Sequence, residues 1–139
     1  MKIQHEEVDR KPASISDVSI LVVDDDRLIT RLVVGAMKVI GITNVIPVND
    51  PHQALDFVAE GLVGIDLVLC DMVMPEVDGL EILRVVRKSH PEMPFLMLTA
   101  DGTSGTVSKA VELGVTSYMI KPFAIDELQS KVRQLIGIA

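Results

Sequence analysis

The chain has 139 residues, one domain's worth and enough to bury a core, and 48% of them are hydrophobic with a mean hydropathy of +0.38. Aromatics make up only 3% and Trp is absent, which argues against a base-stacking platform or an aromatic cage. With a net charge of −7 and no run of Lys or Arg, nothing would neutralise phosphates, so direct binding to nucleic acid or to an anionic membrane is disfavoured.

Residues 1–17 are polar, charged and aperiodic, and read as a flexible or loosely docked tail ahead of a single folded domain over 18–139. Ser19–Val23 is a buried strand ending in Asp24-Asp25-Asp26. A helix follows, with Ile29, Leu32, Val33, Ala36, Met37 and Ile40 at helical spacing and Gly41 closing it. Asn44–Val48 is a short strand. Asp50 and Pro51 supply an N-cap and first helical residue for a second helix, with the stripe Ala54, Leu55, Val58, Ala59 and Leu62.

Ile65–Asp71 is almost uninterrupted apolar sequence apart from Asp66 and the terminal Asp71, the pattern of a strand covered on both faces. The loop Met72–Gly79 leads to a helix from Leu80 to about His90, with Leu80, Leu83 and Val86 inward. Phe95–Thr99 is the fourth strand. Asp101–Gly105 reads as a loop before a weak helix, Val107–Leu113, stopped by Gly114. Thr116–Ile120 is the last strand, followed by Lys121-Pro122-Phe123 and a final helix carrying Ile125, Leu128, Val132, Leu135 and Ile136.

Strand and helix alternate five times, which predicts an α/β fold, a doubly wound (βα)5 sandwich around a parallel sheet. Ligands of such sheets sit beyond the carboxyl ends of the strands. There stand Asp24 and Asp25, Asp71, Thr99 and Lys121. Each alone is more often structural: a solvated cap, a strand-edge hydroxyl, a surface ion pair worth little. Together, three close carboxylates call for a divalent cation, and oxygen-only ligands favour Mg²⁺ or Mn²⁺ over zinc. The hydroxyl and ammonium would hold an anion against it, giving a phosphoryl site with a carboxylate nucleophile.

Over Ser19 to Gly137 the chain resembles the receiver domains of bacterial two-component response regulators. The matching segments are Leu21–Asp26, Leu69–Pro75, Asp78-Gly79, Leu98-Thr99-Ala100 and Tyr118–Phe123. The resemblance implies a flavodoxin-like sheet order 2-1-3-4-5. It implies that Asp71 accepts phosphate from a histidine kinase or histidine phosphotransfer protein. Asp25, Asp71 and the backbone carbonyl of Val73 would bind Mg²⁺, for which Mn²⁺ can substitute, and Asp24 would hold a water of the metal's shell. Thr99 and Lys121 would contact the phosphoryl oxygens, and Tyr118 would turn inward as Thr99 is drawn to the phosphate. The protein would then be no enzyme beyond assisting its own phosphorylation and dephosphorylation. A downstream protein partner would dock on the 102–137 face, where Gly102 and Gly105 weaken the helix before the last strand.

Val73 stands two residues after the acceptor, where many members carry a polar side chain. Asp26 is a third acid beside the usual pair, and Asp101 follows Ala100. The expected form is a stand-alone, cytoplasmic regulator without a leader or membrane span, or else a receiver segment of a longer response regulator. A flavodoxin-like redox protein fits the fold but not three aspartates where a flavin phosphate needs backbone N–H donors. A degenerate receiver would lack one of the site residues. An aspartate-based phosphohydrolase would need an acid at Val73. Cys70 reads as a small buried hydrophobe, and His5, His52 and His90 as solvent-exposed.

Overall fold

The computed structural model describes residues 12–100 and 102–137. Five strands, β1 (Ser19–Val23), β2 (Asn44–Val48), β3 (Leu67–Asp71), β4 (Phe95–Thr99) and β5 (Ser117–Ile120), alternate with helices α1 (Arg27–Val39), α2 (Pro51–Ala59), α3 (Gly79–Ser89), α4 (Ser104–Glu112) and α5 (Ile125–Ile136). The strands pair in parallel in the order β2-β1-β3-β4-β5, which is the expected flavodoxin-like order.

The pleat explains the two cores. Ile20 and Val22, Leu67 and Leu69, and Leu96 and Leu98 face α1 and α5, where they meet Val33, Met37, Leu128 and Val132. Leu21 and Val23, Val68 and Cys70, and Phe95 and Met97 face the other way, onto Ala54, Val58, Ile82, Leu83, Val86 and Ala110. All five residues of β1, β3 and β4 are buried, which is why these strands read as unbroken apolar runs. Each fully buried Leu, Ile or Val contributes about 1.5–3 kcal/mol. The layers are therefore held from both sides of the sheet.

Capping sets the helix starts. Asp26 accepts from Leu28 N–H and Asp50 from His52 N–H, both at 2.9 Å, and Pro51 occupies the first turn of α2. Asp78 accepts from Glu81 N–H at 2.9 Å and starts α3. Asp26, the third acid, is thus an N-cap.

Several expectations are corrected in detail. Residues 1–11 of the expected tail and Asp101 lie outside the described residues. Ile15–Asp17 form a short 3-10 turn, and Ile15 packs on the α1/α5 core, so ordered packing begins ahead of residue 18. Leu32 is 42% exposed, because the buried stripe of α1 runs Thr30, Val33, Ala36 and Met37. α2 ends at Ala59, which is exposed; Leu62 still enters the core, through a left-handed backbone with φ 51°. β3 begins at Leu67: Asp66 precedes it and accepts from Ser19 N–H at 2.8 Å, joining the starts of β1 and β3. α4 begins at Ser104, not Val107, with Thr103 extended at the N-cap, so the helical ladder absorbs Gly105.

Candidate functional site

The sheet ladder runs one residue past the strands at their carboxyl ends. Asp24 N–H donates to Val48 at 3.0 Å, Met72 N–H to Leu98 at 2.8 Å and Lys121 N–H to Thr99 at 2.7 Å. The alternation that aims Ile20 and Val22, Leu67 and Leu69, and Met119 at one face therefore carries on to Asp24, Asp71 and Lys121. Three charged side chains are thereby brought to one corner.

There, Lys121 Nζ lies 2.9 Å from Asp24 Oδ2 and 3.2 Å from Asp71 Oδ1. Asp24 is fully buried and Asp71 nearly so, whereas Asp25 faces solvent. Carboxylate oxygens of Asp24, Asp25 and Asp71 all lie within 4.8 Å of one another, a cluster that can hold a metal ion. Three carboxylates against one ammonium leave two negative charges uncompensated, and the donor set is all oxygen, so the residues fit a hard dication. Burial raises the Asp71 carboxyl above its ordinary value and the neighbouring Asp24 charge adds to this; Lys121 and a hydrogen bond from the Val73 backbone act against it. For Lys121, burial favours loss of the proton, but the hydrogen bond and charge of Asp24, with Asp71, outweigh it and raise the ammonium. A positive charge is held between the two buried acids.

The loop after Asp71 is shaped by Gly79. Its N–H donates to Met72 O at 2.8 Å, and a Cβ there would run into the Asp71 carbonyl oxygen, with Met97 Sδ 2.9 Å and Met72 Cα 3.0 Å away. Only glycine lets α3 start so close to the end of β3. Val73 turns its side chain outward, 68% exposed, while its backbone addresses Asp71.

Thr99 ends β4, 1% exposed, on the opposite pleat to Asp71 and in line with Phe95 and Met97. Tyr118 pairs in register with Met97 and so stands on the Thr99 side of the sheet; it is 41% exposed and turned outward. Two contributors were not singled out from the sequence. Asn49 Nδ2 donates to the Asp24 carbonyl at 2.9 Å and to Thr30 Oγ1 at 3.1 Å, fixing the backbone under the acid pair. Its place just beyond the end of β2, at the same sheet edge, was the available signal. The other is Glu76, whose carboxylate lies 2.7 Å from His52 Nε2, so His52 is exposed but engaged. His90 is not simply exposed either: its Nε2 donates to the Gly61 carbonyl at 2.7 Å. Cys70 is fully buried, and burial pushes its thiol well up, as a small hydrophobe requires.

Comparison with known proteins agrees with this geometry. The model of the response regulator receiver domain family matches residues 20–133. The transcriptional regulatory protein CpxR of Escherichia coli (strain K12) is 38% identical over 117 residues, 84% of this chain and 48% of CpxR. The response regulator MprA of Mycolicibacterium vanbaalenii is 35% identical over 119 residues, 86% of this chain and 50% of MprA, so the chain spans about half the length of these relatives. Among solved structures, the chemotaxis protein CheY4 of Vibrio cholerae superposes with a TM-score of 0.76 at 25% identity, covering 85% of this chain and 98% of CheY4. The Francisella response regulator 1452 receiver domain gives 0.77 at 28%, covering 86% of this chain and 97% of that one. With the acidic cluster, the bridging lysine and the sheet order all in place, the chain belongs to the response regulator receiver domain family of two-component signalling.

Proposed function

We propose that Asp71 is the phosphoryl acceptor of a two-component relay, taking its group from a phosphohistidine on a histidine kinase or histidine phosphotransfer protein. The observation that carries this reading is the Lys121 ammonium set between Asp24 and Asp71, beside exposed Asp25. An Asp71 carboxylate oxygen attacks phosphorus as the P–N bond breaks, and the leaving imidazole nitrogen keeps the electron pair. Lys121 and the Thr99 hydroxyl receive the charge on the transferred oxygens. Asp25, Asp71 and the Val73 carbonyl would hold Mg²⁺ or Mn²⁺, with Asp24 supporting its water shell; the ion supplies charge neutralisation at the phosphoryl oxygens. The protein turns over only its own phosphate, and so acts as a switch rather than an enzyme on outside substrates.

The output reading is that Thr99 moves toward the phosphoryl group and Tyr118 follows, changing a protein-docking face within 102–137 and leaving nucleic acid and membrane uncontacted. The coverage of CpxR and MprA equally fits a receiver segment of a longer response regulator, with the same acceptor chemistry. No helix among the described residues is long and apolar enough to cross a membrane.

Incubation with acetyl phosphate and Mg²⁺ should add a single phosphoryl group by intact mass. The adduct should be absent from Asp71→Asn, and its persistence there would overturn the assignment.

A further inference from the structure

The loop that carries Val73 past Asp71 is fastened at its outer edge by a residue pair the phosphoryl chemistry does not use. Glu76 sits at the tip with φ 71°, a left-handed backbone that non-glycine residues avoid. Its carboxylate meets His52 Nε2 at 2.7 Å. His52 is on a fixed mount: it follows buried Pro51 in the first turn of α2, and its own N–H is held by Asp50 at 2.9 Å. Beyond Glu76, Val77 is buried and its N–H donates to Pro75 O at 2.8 Å. One contact therefore joins a rigid helix start to the strained tip of the acceptor loop.

We propose that His52 and Glu76 are a positioning pair that fixes the Met72–Gly79 loop, so that the rate at which Asp71 gains its phosphoryl group depends on whether His52 is charged. This rests on Asp71 being the acceptor. The charges acting on His52 are Glu76 from the loop and Asp50 and Asp56 from its own helix, all negative, and they raise its pKa, the hydrogen bond to Glu76 most of all. A raised histidine keeps its ion pair at low pH and loses it as pH climbs through the folded-state value. The loop is thus firmest below the raised folded-state value of His52 and loosens above it.

The test follows phosphorylation by acetyl phosphate with Mg²⁺ in wild type, His52→Ala and Glu76→Gln, together with the Val73 amide shift during a pH titration of His52. At about pH 6 both variants should be phosphorylated about threefold more slowly than wild type, the scale an exposed ion pair can supply, and the gap should close by about pH 8.5. The Val73 amide should titrate with the His52 ring in wild type and not in Glu76→Gln, a coupling that loss of fold stability would not mimic. A variant-to-wild-type ratio that stays constant with pH, or a Val73 amide blind to His52, would overturn the pair while leaving the acceptor intact. Failure of the wild type itself to take up phosphate would instead overturn the acceptor reading.

Discussion

β3 and β5 belong to one sheet and end at one site, yet they are held very differently. β3 lies between β1 and β4 with every residue buried, and α3 covers it with Ile82, Leu83 and Val86. β5 has a neighbour on one side only and buries Met119 alone among its four residues. Beside it, α4 contributes Ala110 as its buried residue among those described, carries a glycine in its first turn and leaves Val111 60% exposed. A groove of about 600 Å³, lined by Met72, Val73, Thr103 and Thr106, separates the start of α4 from the acceptor loop. Asp71, the proposed acceptor, is thus mounted on the firmest strand, and the neighbouring surface on the softest. A charge added at the first has its cheapest mechanical response in the second.

The largest expected effect tests that asymmetry directly. Leu83→Ala should cost about 3 kcal/mol in urea unfolding, because its cavity would sit in close-packed core. Val111→Ala on α4 should change stability by under about 0.5 kcal/mol, as exposed substitutions do. Comparable losses would mean that α4 is as firmly seated as α3.

The two glycines sharpen the contrast with one substitution. Gly79→Ala forces a methyl onto the Asp71 carbonyl oxygen and should cost about 2 kcal/mol. Gly105→Ala meets nothing within 4 Å and lies in a helix, so it should stabilise by up to about 1 kcal/mol. A neutral Gly79→Ala would show that the acceptor loop gives way more easily than its packing implies.

The firm half was also the legible half. The buried strands announced themselves as apolar runs, and Asp24, Asp25, Asp71 and Lys121 were readable because a parallel sheet puts its strand ends at one edge. The caps Asp50 and Pro51 were equally plain. What escaped were features set by tertiary context: α4 starting at Ser104 despite Gly105, Leu32 rotated off the buried stripe, and Leu62 turning inward after α2 has ended. The His52–Glu76 contact joins residues 24 apart on two different elements, which no local pattern encodes.

A smaller effect is expected at Asp25, which is exposed and adds charge to two buried acids. Without metal, Asp25→Ala should leave stability unchanged or raise it by less than about 1 kcal/mol, since repulsion is relieved at a solvated position. Phosphorylation by acetyl phosphate should nevertheless be abolished through loss of a direct ligand. Uptake at the wild-type rate with limiting Mg²⁺ would remove Asp25 from the metal site.

A modest change in stability should accompany the largest change in response. Thr99 pairs in register with Ile120, and Gly102 lies so close under that side chain that an added Cβ would be 2.5 Å from Ile120 Cδ1. A shift of Thr99 toward the phosphoryl group thus has a path through Ile120 into the β4–α4 loop, while Tyr118, one pleat earlier on the same face, can take up vacated space. Tyr118 is already 41% exposed, so Tyr118→Ala should cost less than about 1 kcal/mol and leave phosphorylation by acetyl phosphate at its wild-type rate. With beryllofluoride, wild-type amide shifts should extend from the Asp71 loop through residues 102–120, from the loop ahead of α4 to the end of β5. In Tyr118→Ala they should stop near Thr99. If residues 102–120 stay still in wild type while the Asp71 loop moves, the soft edge is not where the signal leaves the molecule.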